Sequence, residues 1–269
     1  MLSGFVILIT GFVLGMRHAT DPDHVIAVST IVSRERSIVK SMLIGGLWGI
    51  GHTLTILIVG TAIILLGISI PLRAGLSMEF CVGLMLILLG AMNLTGVMKW
   101  MSEKFSPAHP VITGEHAHLH EHGAKIHFHW HSHSRYGEHH ADSLTAPAWV
   151  RGLFDGLGLF GALRPLVVGV VHGLAGSAAV ALLILSTIRE PKWAIFYLLV
   201  FGLGTIAGMM LITTAIAFPL SFAGNRFAWL NRGLITGSGV LSLAFGLLVC
   251  FQIGFVGGLF GSHPTWKPS

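Results

Sequence analysis

The sequence predicts an all-α integral membrane protein of about six transmembrane helices, arranged as a 3+3 inverted repeat whose first helix is broken at a His/Asp motif. Three observations carry this expectation. Of 269 residues, 53% are apolar and only 10% charged, with a mean hydropathy of +0.79, whereas a soluble domain carries roughly a quarter Asp, Glu, Lys and Arg. The apolar residues fall in runs as long as the ~20 residues a helix needs to cross a bilayer. Similar Gly- and His-bearing motifs recur in the two halves of the chain.

The apolar segments lie at about 3–32, 41–66, 78–98, 165–187, 193–218 and 233–257. The first is too long for one straight crossing, because 30 residues at ~1.5 Å each reach ~45 Å against a ~30 Å hydrocarbon core. It must tilt, break or re-enter, and a polar knot from Arg17 to His24 marks the place. Met1 to Met16 lacks a basic start and a small-residue cleavage signal, so it is expected to be retained.

Between the third and fourth segments, residues 99–164 hold 11 of the 16 histidines. They alternate with other residues at His116, His118, His120 and His122, and again at His127, His129, His131 and His133. Such a tract presents imidazoles to metal without needing a fixed fold. The chain therefore divides into a three-helix membrane half (1–98), a largely disordered cytoplasmic His-rich loop (99–164) with an interfacial helix near 147–163, a second three-helix half (165–260) and a tail (261–269).

The net charge of +5 and pI near 9.6 do not point to nucleic acid, because the 16 Lys and Arg are scattered through short loops. They read as topology signals. Arg34, Arg36 and Lys40 follow the first segment, Lys99 and Lys104 the third, and Arg226 and Arg232 the fifth, while Arg151 and Arg164 precede the fourth. The opposite side has Arg73, Arg189 and Lys192. The positive-inside rule then puts the N-terminus outside and the His-rich loop in the cytoplasm.

The repeat pairs Gly15-Met-Arg-His18 with Gly169-Val-Val-His172, Gly49-Ile-Gly51 with Gly202-Leu-Gly204, and Gly83 and Gly90 with Gly239 and Gly246, at offsets of 154, 153 and 156 residues. Three crossings separate equivalent positions, so the second copy enters from the other face, as in many secondary carriers.

The chemistry concentrates in the knot His18-Ala-Thr-Asp21-Pro-Asp23-His24. Each charge near the bilayer centre costs at least ~2.5–3.5 kcal/mol, so paired acids there call for a compensating cation. A divalent metal supplies it: imidazole suits nickel, cobalt, copper and zinc, and carboxylate adds neutralising charge. On a regular helix His18, Asp21 and His24 share a face and Asp23 points away. Pro22 breaks that helix and can bring Asp23 round.

His52 and His172 are each the ionisable group deep in their segments, flanked by glycines that let helices approach closely. Both are read as metal ligands or relay groups beside the knot. Thr53, Asn93 and Ser177 are candidate lining residues, although polar side chains also bind helices together. Cys81 and Cys250 have no C-x-x-C partner and are expected to be inert. The chain has no H-E-x-x-H, which argues against a metal-dependent hydrolase, and no P-loop, so an ion gradient, the membrane potential or a separate subunit must drive any active step.

His18-Ala-Thr-Asp21-Pro-Asp23-His24 resembles the H-x4-D-H signature of the nickel/cobalt transporter family, which includes urease- and hydrogenase-associated permeases. Gly51-His52-Thr53 is similar to the family's Gly-His-Ser/Thr step in the next helix. The resemblance implies that His18, Asp23, His24 and His52 select and pass the cation, with Ni2+ or Co2+ as transported substrate and no prosthetic group. It also implies residence in a bacterial plasma membrane. Where uptake members carry Gly-Phe-Asp-Thr-Ala-Thr-Glu, this chain has Val171-His172-Gly173-Leu174-Ala175-Gly176-Ser177, and the His-rich loop is similar to that of related efflux proteins.

The expected function is alternating-access transport of a divalent metal, with one three-helix half rocking against the other and uptake put ahead of efflux. The alternatives are nickel/cobalt efflux, a membrane metallochaperone for nickel-enzyme maturation and an intramembrane metal-dependent hydrolase, and an energy-coupling or metallochaperone protein is a candidate partner. The expected partners are the metal ion and membrane lipid, not nucleic acid.

Overall fold

The polar knot decides how the N-terminus folds. In a computed structural model of the chain, α1 (Leu2–His18) stops there and α2 (Pro22–Val32) starts afresh. The backbone N–H groups of Thr20 and Asp21 close the end of α1 onto Arg17 and His18, at 2.8 and 3.1 Å. Asp21 then stands at the N-cap of α2, and Pro22 fills the first helical position, where a missing N–H costs nothing. The structure describes residues 2–35, 37–67, 71–97, 100–101, 116–122, 125–131, 158–174, 190–224, 228–262 and 264–265.

α3 (Ile38–Leu66) begins at Ser37, whose hydroxyl accepts from the Lys40 N–H, and ends at Gly67, whose φ of 62° is one that glycine adopts freely. α4 (Leu72–Thr95) follows Pro71. Beyond the loop come α5 (Gly158–Gly173), α6 (Pro191–Gly224) and α7 (Ala228–Phe251), the last running into one π-helical turn at Gln252–Val256.

Within the His-rich loop the described stretches form an antiparallel hairpin, β1 (His116–His122) and β2 (Lys125–His131). Its register sets His116 opposite His131, His118 opposite His129 and His120 opposite His127. The sequence reading expected no regular structure here, yet a period-two pattern is also that of a strand. Residues 147–157 of the expected interfacial helix lie outside the described residues, and 158–163 form the start of α5.

Among the described residues, four helical segments have the length and composition to cross a membrane: Ile38–Leu66, Leu72–Thr95, Pro191–Pro219 and Arg232–Val256. Six were expected. The elbow splits the first into α1 and the 11-residue α2, and the fourth is described only as far as 174. Side chains such as Ile58, Leu88, Leu203 and Leu247 stay exposed on these helices, as apolar residues facing lipid do.

The most extensive helix packing runs across the halves. α3 and α6 form the central pair, α5 lies along α3, α1 along α6, and α4 along α7. Glycines mark the seams, where an added side chain would strike the neighbouring helix. Gly15 abuts the Phe201 carbonyl, and Gly169 abuts that of Trp48. Gly51 meets Leu166 as Gly204 meets Phe12, Gly49 meets Ile206 as Gly202 meets Thr53, and Gly90 meets Gly239 as Gly246 meets Gly83. In each pair one contact becomes the other when its residues are shifted by the repeat offset.

Candidate metal centre

The elbow between α1 and α2 does more than interrupt a helix. It leaves His18 at the end of α1 and sets Asp23 and His24 in the first turn of α2, facing the middle of α3, which carries His52, and the end of α5, which carries His172. His24, His52 and His172 are fully buried and His18 is 6% exposed.

The contacts are close. His18 Nδ1 lies 2.7 Å from Asp21 Oδ2, and its Nε2 lies 3.0 Å from His52 Nε2. Asp23 divides its carboxylate. Oδ1 accepts from the backbone N–H of His24 at 3.0 Å and lies 3.1 Å from His24 Nδ1, while Oδ2 lies 2.9 Å from His172 Nε2. The His24 ring is central, with centroids 4.6, 5.2 and 4.2 Å from those of His18, His52 and His172.

The regular-helix geometry that turned Asp23 away does not hold, because the helix is broken. The expected unwinding at Pro22 carries Asp23 into the cluster, where it joins α2 to α5. Asp21 stays at the rim, its side chain 39% exposed.

Among the described residues, His24 Nε2, His52 Nδ1 and His172 Nδ1 are buried without a hydrogen-bond partner. Only one hydrogen fits between the facing Nε2 atoms of His18 and His52, so one of them presents a lone pair to the other. Unsatisfied nitrogens and acids in an apolar interior are costly to hold unless something else binds them. Among the described residues two groups could hold a metal ion, with donor atoms all within 4.8 Å of one another: His18, His24 and His52, and Asp23, His24 and His172. The donors are nitrogen and oxygen, the set that suits nickel, cobalt or zinc better than copper(I). The cysteines take no part in either group: Cys250 Sγ faces the Phe80 carbonyl at the α4–α7 seam.

Aromatic rings wall the cluster. Trp48 stacks on His24 at 5.7 Å and 18° and meets His172 at 5.6 Å, while Phe201 lies 5.6 Å from His18. The sequence reading missed both. The signal was present, since Trp48 precedes His52 by one helical turn and so shares its face.

Of the candidate lining residues, Thr53 donates to the Gly202 carbonyl at 3.2 Å, next to His52. Asn93 is not brought to the imidazoles. Its amide donates to Ser33 Oγ, Ile235 O and Ser238 Oγ, and its Oδ1 accepts from Arg34 Nε at 3.0 Å, tying the far end of α2 to α4 and α7. Ser177 and His133 lie outside the described residues, and of the other loop histidines only the backbone register is described.

No family model and no solved structure matches the chain. Among curated proteins it is 35% identical over 254 residues to the urease accessory protein UreH of Bacillus sp. (strain TB-90), with 94% of each chain covered. With the His/Asp elbow folded into a metal-competent cluster, that likeness makes this chain a member of the nickel/cobalt transporter family, in the urease-associated group that includes UreH.

Proposed function

We propose that the chain carries Ni2+, and with it Co2+, across a bacterial plasma membrane by alternating access through the cluster at the α1–α2 elbow. The observation that carries this reading is the convergence of four imidazoles and the Asp23 carboxylate, from four different helices, in one buried cluster. His18, Asp21, Asp23, His24, His52 and His172 are its metal-handling residues. Kinship with an accessory to urease favours nickel and favours uptake, since a cytoplasmic nickel enzyme needs the ion brought in.

A six-helix 3+3 inverted repeat accounts best for the paired seams. The pattern in which α1 packs on α6, α5 on α3, α3 on α6 and α4 on α7 is unchanged when each helix is exchanged for its repeat partner. The same exchange turns the Trp48–His172 contact into the Phe201–His18 contact. This interleaving speaks against the two halves rocking as units. A division between the interlocked α1, α3, α5 and α6 and the separate α4–α7 pair fits the packing better. α2 lies between them, with its His24 end in the first group and its Thr30 and Ser33 end bonded to α7 and α4.

The reading keeps the N-terminus outside and the His-rich hairpin in the cytoplasm, where it gathers metal on the receiving side. The alternative of a metallochaperone draws on that hairpin, whose register sets histidine opposite histidine three times. Purified protein in sealed vesicles, given Ni2+ or Co2+ gradients in each direction, separates the readings. Saturable flux that His24→Ala abolishes is the expected result, and metal binding without flux would overturn the carrier reading in favour of the metallochaperone.

A further inference from the structure

We infer that the cluster holds its cation in two successive three-ligand positions that share His24: an outer one of His18, His24 and His52, and an inner one of Asp23, His24 and His172. This rests on the carrier reading above and gives it a route. A metal bound at ~2.1 Å to each donor holds those donors within about 4 Å of one another. Each triad comes close to that limit, with all of its donor atoms within 4.8 Å, and among the described residues no set of four does so.

The remaining contacts divide the same way. His18 and His52 face each other at 3.0 Å and Asp23 faces His172 at 2.9 Å, so four of the five donors form two facing pairs. The fifth, His24, lies between the pairs and belongs to both. The rings of His52 and His172 are 5.9 Å apart, farther than His18 from His52 at 5.1 Å or His24 from His172 at 4.2 Å.

The two positions differ in charge and exposure. The outer one offers three imidazoles, and its His18 is backed by Asp21, the more exposed of the two acids at 39% against 19% for Asp23. The inner one includes a carboxylate, which adds Coulomb attraction in a medium of low dielectric. A cation entering past Asp21 meets neutral donors first and is drawn inward by Asp23. It exchanges His18 and His52 for Asp23 and His172 while His24 stays bound. No step strips the ion of all its ligands, and neither position is complete enough to trap it. Fast passage needs this balance, with entry favourable and exit still open.

The test uses Co2+ as the probe, read by the visible absorption of the purified full-length protein, with radioactive Ni2+ flux measured in vesicles. His52→Gln and His172→Gln each spare one complete position. Each is expected to bind one Co2+ with affinity within about tenfold of wild type, with different spectra, while flux falls about a hundredfold or more. His24→Gln breaks both positions and is expected to lose binding about a hundredfold, with wild-type elution on size exclusion showing that it is folded. Should His52→Gln or His172→Gln lose Co2+ as fully as His24→Gln, the ion occupies one undivided site and the inference fails. Should wild-type protein bind Co2+ with this variant pattern yet move no metal into vesicles, the carrier reading fails while the two positions stand.

Discussion

His172 Nε2 lies 2.9 Å from Asp23 Oδ2 across 149 positions of sequence. That contact places a carboxylate, 19% exposed, between two fully buried imidazoles and joins the first turn of α2 to the end of α5. Asp23→Asn keeps the shape of the side chain and removes its charge, and is expected to lower Ni2+ flux by about 10- to 100-fold. Asp21→Asn acts at the solvent-screened rim and is expected to cost only a few-fold. Flux assays on both variants in one vesicle preparation check this, and equal losses would refute the ranking of the two acids.

Trp48 supplies a stacked wall for His24 and an edge contact for His172. Trp48→Ala is expected to destabilise the protein by about 3–5 kcal/mol, the usual cost of emptying a large aromatic site, and to weaken Co2+ binding because His24 loses its support. Trp48→Phe keeps most of the wall and should bind nearly as wild type. Thermal unfolding in detergent, followed by Co2+ titration, measures both effects.

Gly169 and Gly15 occupy equivalent seams against the carbonyls of Trp48 and Phe201. A methyl group at either position meets backbone that cannot move aside, so Gly169→Ala and Gly15→Ala are each expected to cost about 1–3 kcal/mol or more. Gly233, on α7, has nothing within 4 Å. Gly233→Ala should therefore be neutral or stabilising, since alanine is the better helix former. Folded yield and unfolding temperature of the three variants decide the matter, and a harmless Gly169→Ala would contradict the seam.

Asn93 binds the far end of α2 and does not reach the imidazoles. Asn93→Ala strands buried partners and is expected to cost about 1–3 kcal/mol of stability. Co2+ affinity should be unchanged and flux reduced, because α2 loses its tie to the α4–α7 pair. A fall in Co2+ affinity would return Asn93 to the metal site.

Deleting residues 115–140 removes the described hairpin and the paired histidines. Selectivity among Ni2+, Co2+ and Zn2+ is expected to be unaffected, with poorer transport at low metal concentration. A competition assay across metal concentrations tests this, and altered selectivity would move the selecting groups into the loop.

Much was legible in the residues because bilayer physics is so restrictive. Apolar runs of crossing length, the cost of paired acids within one of them, and the helix-breaking Pro22 were enough to place helices, a break and a cluster of metal-competent donors at His18 to His24. Glycines at fixed offsets were visible too, and they stand where helices touch. Other features were hidden because they depend on partners distant in sequence. Nothing local to Asp23 says that it turns inward to meet His172, nothing near Asn93 says that Arg34 and Ser238 claim it, and Trp48 and Phe201 become walls only when their helices bring them to the histidines.

By itself, then, the sequence determined the solvent, the helical class, the breaking point and the donor chemistry, because each of these follows from composition and local covalent constraint. Tertiary structure decided which donors meet. Packing α5 onto α3 and α1 onto α6 carries His172 and His52 to the elbow, and it sets His24 between two facing pairs of donor groups. Side-chain identity fixes what a group can bind, but only the crossing of helices from both halves of the chain fixes what it binds with.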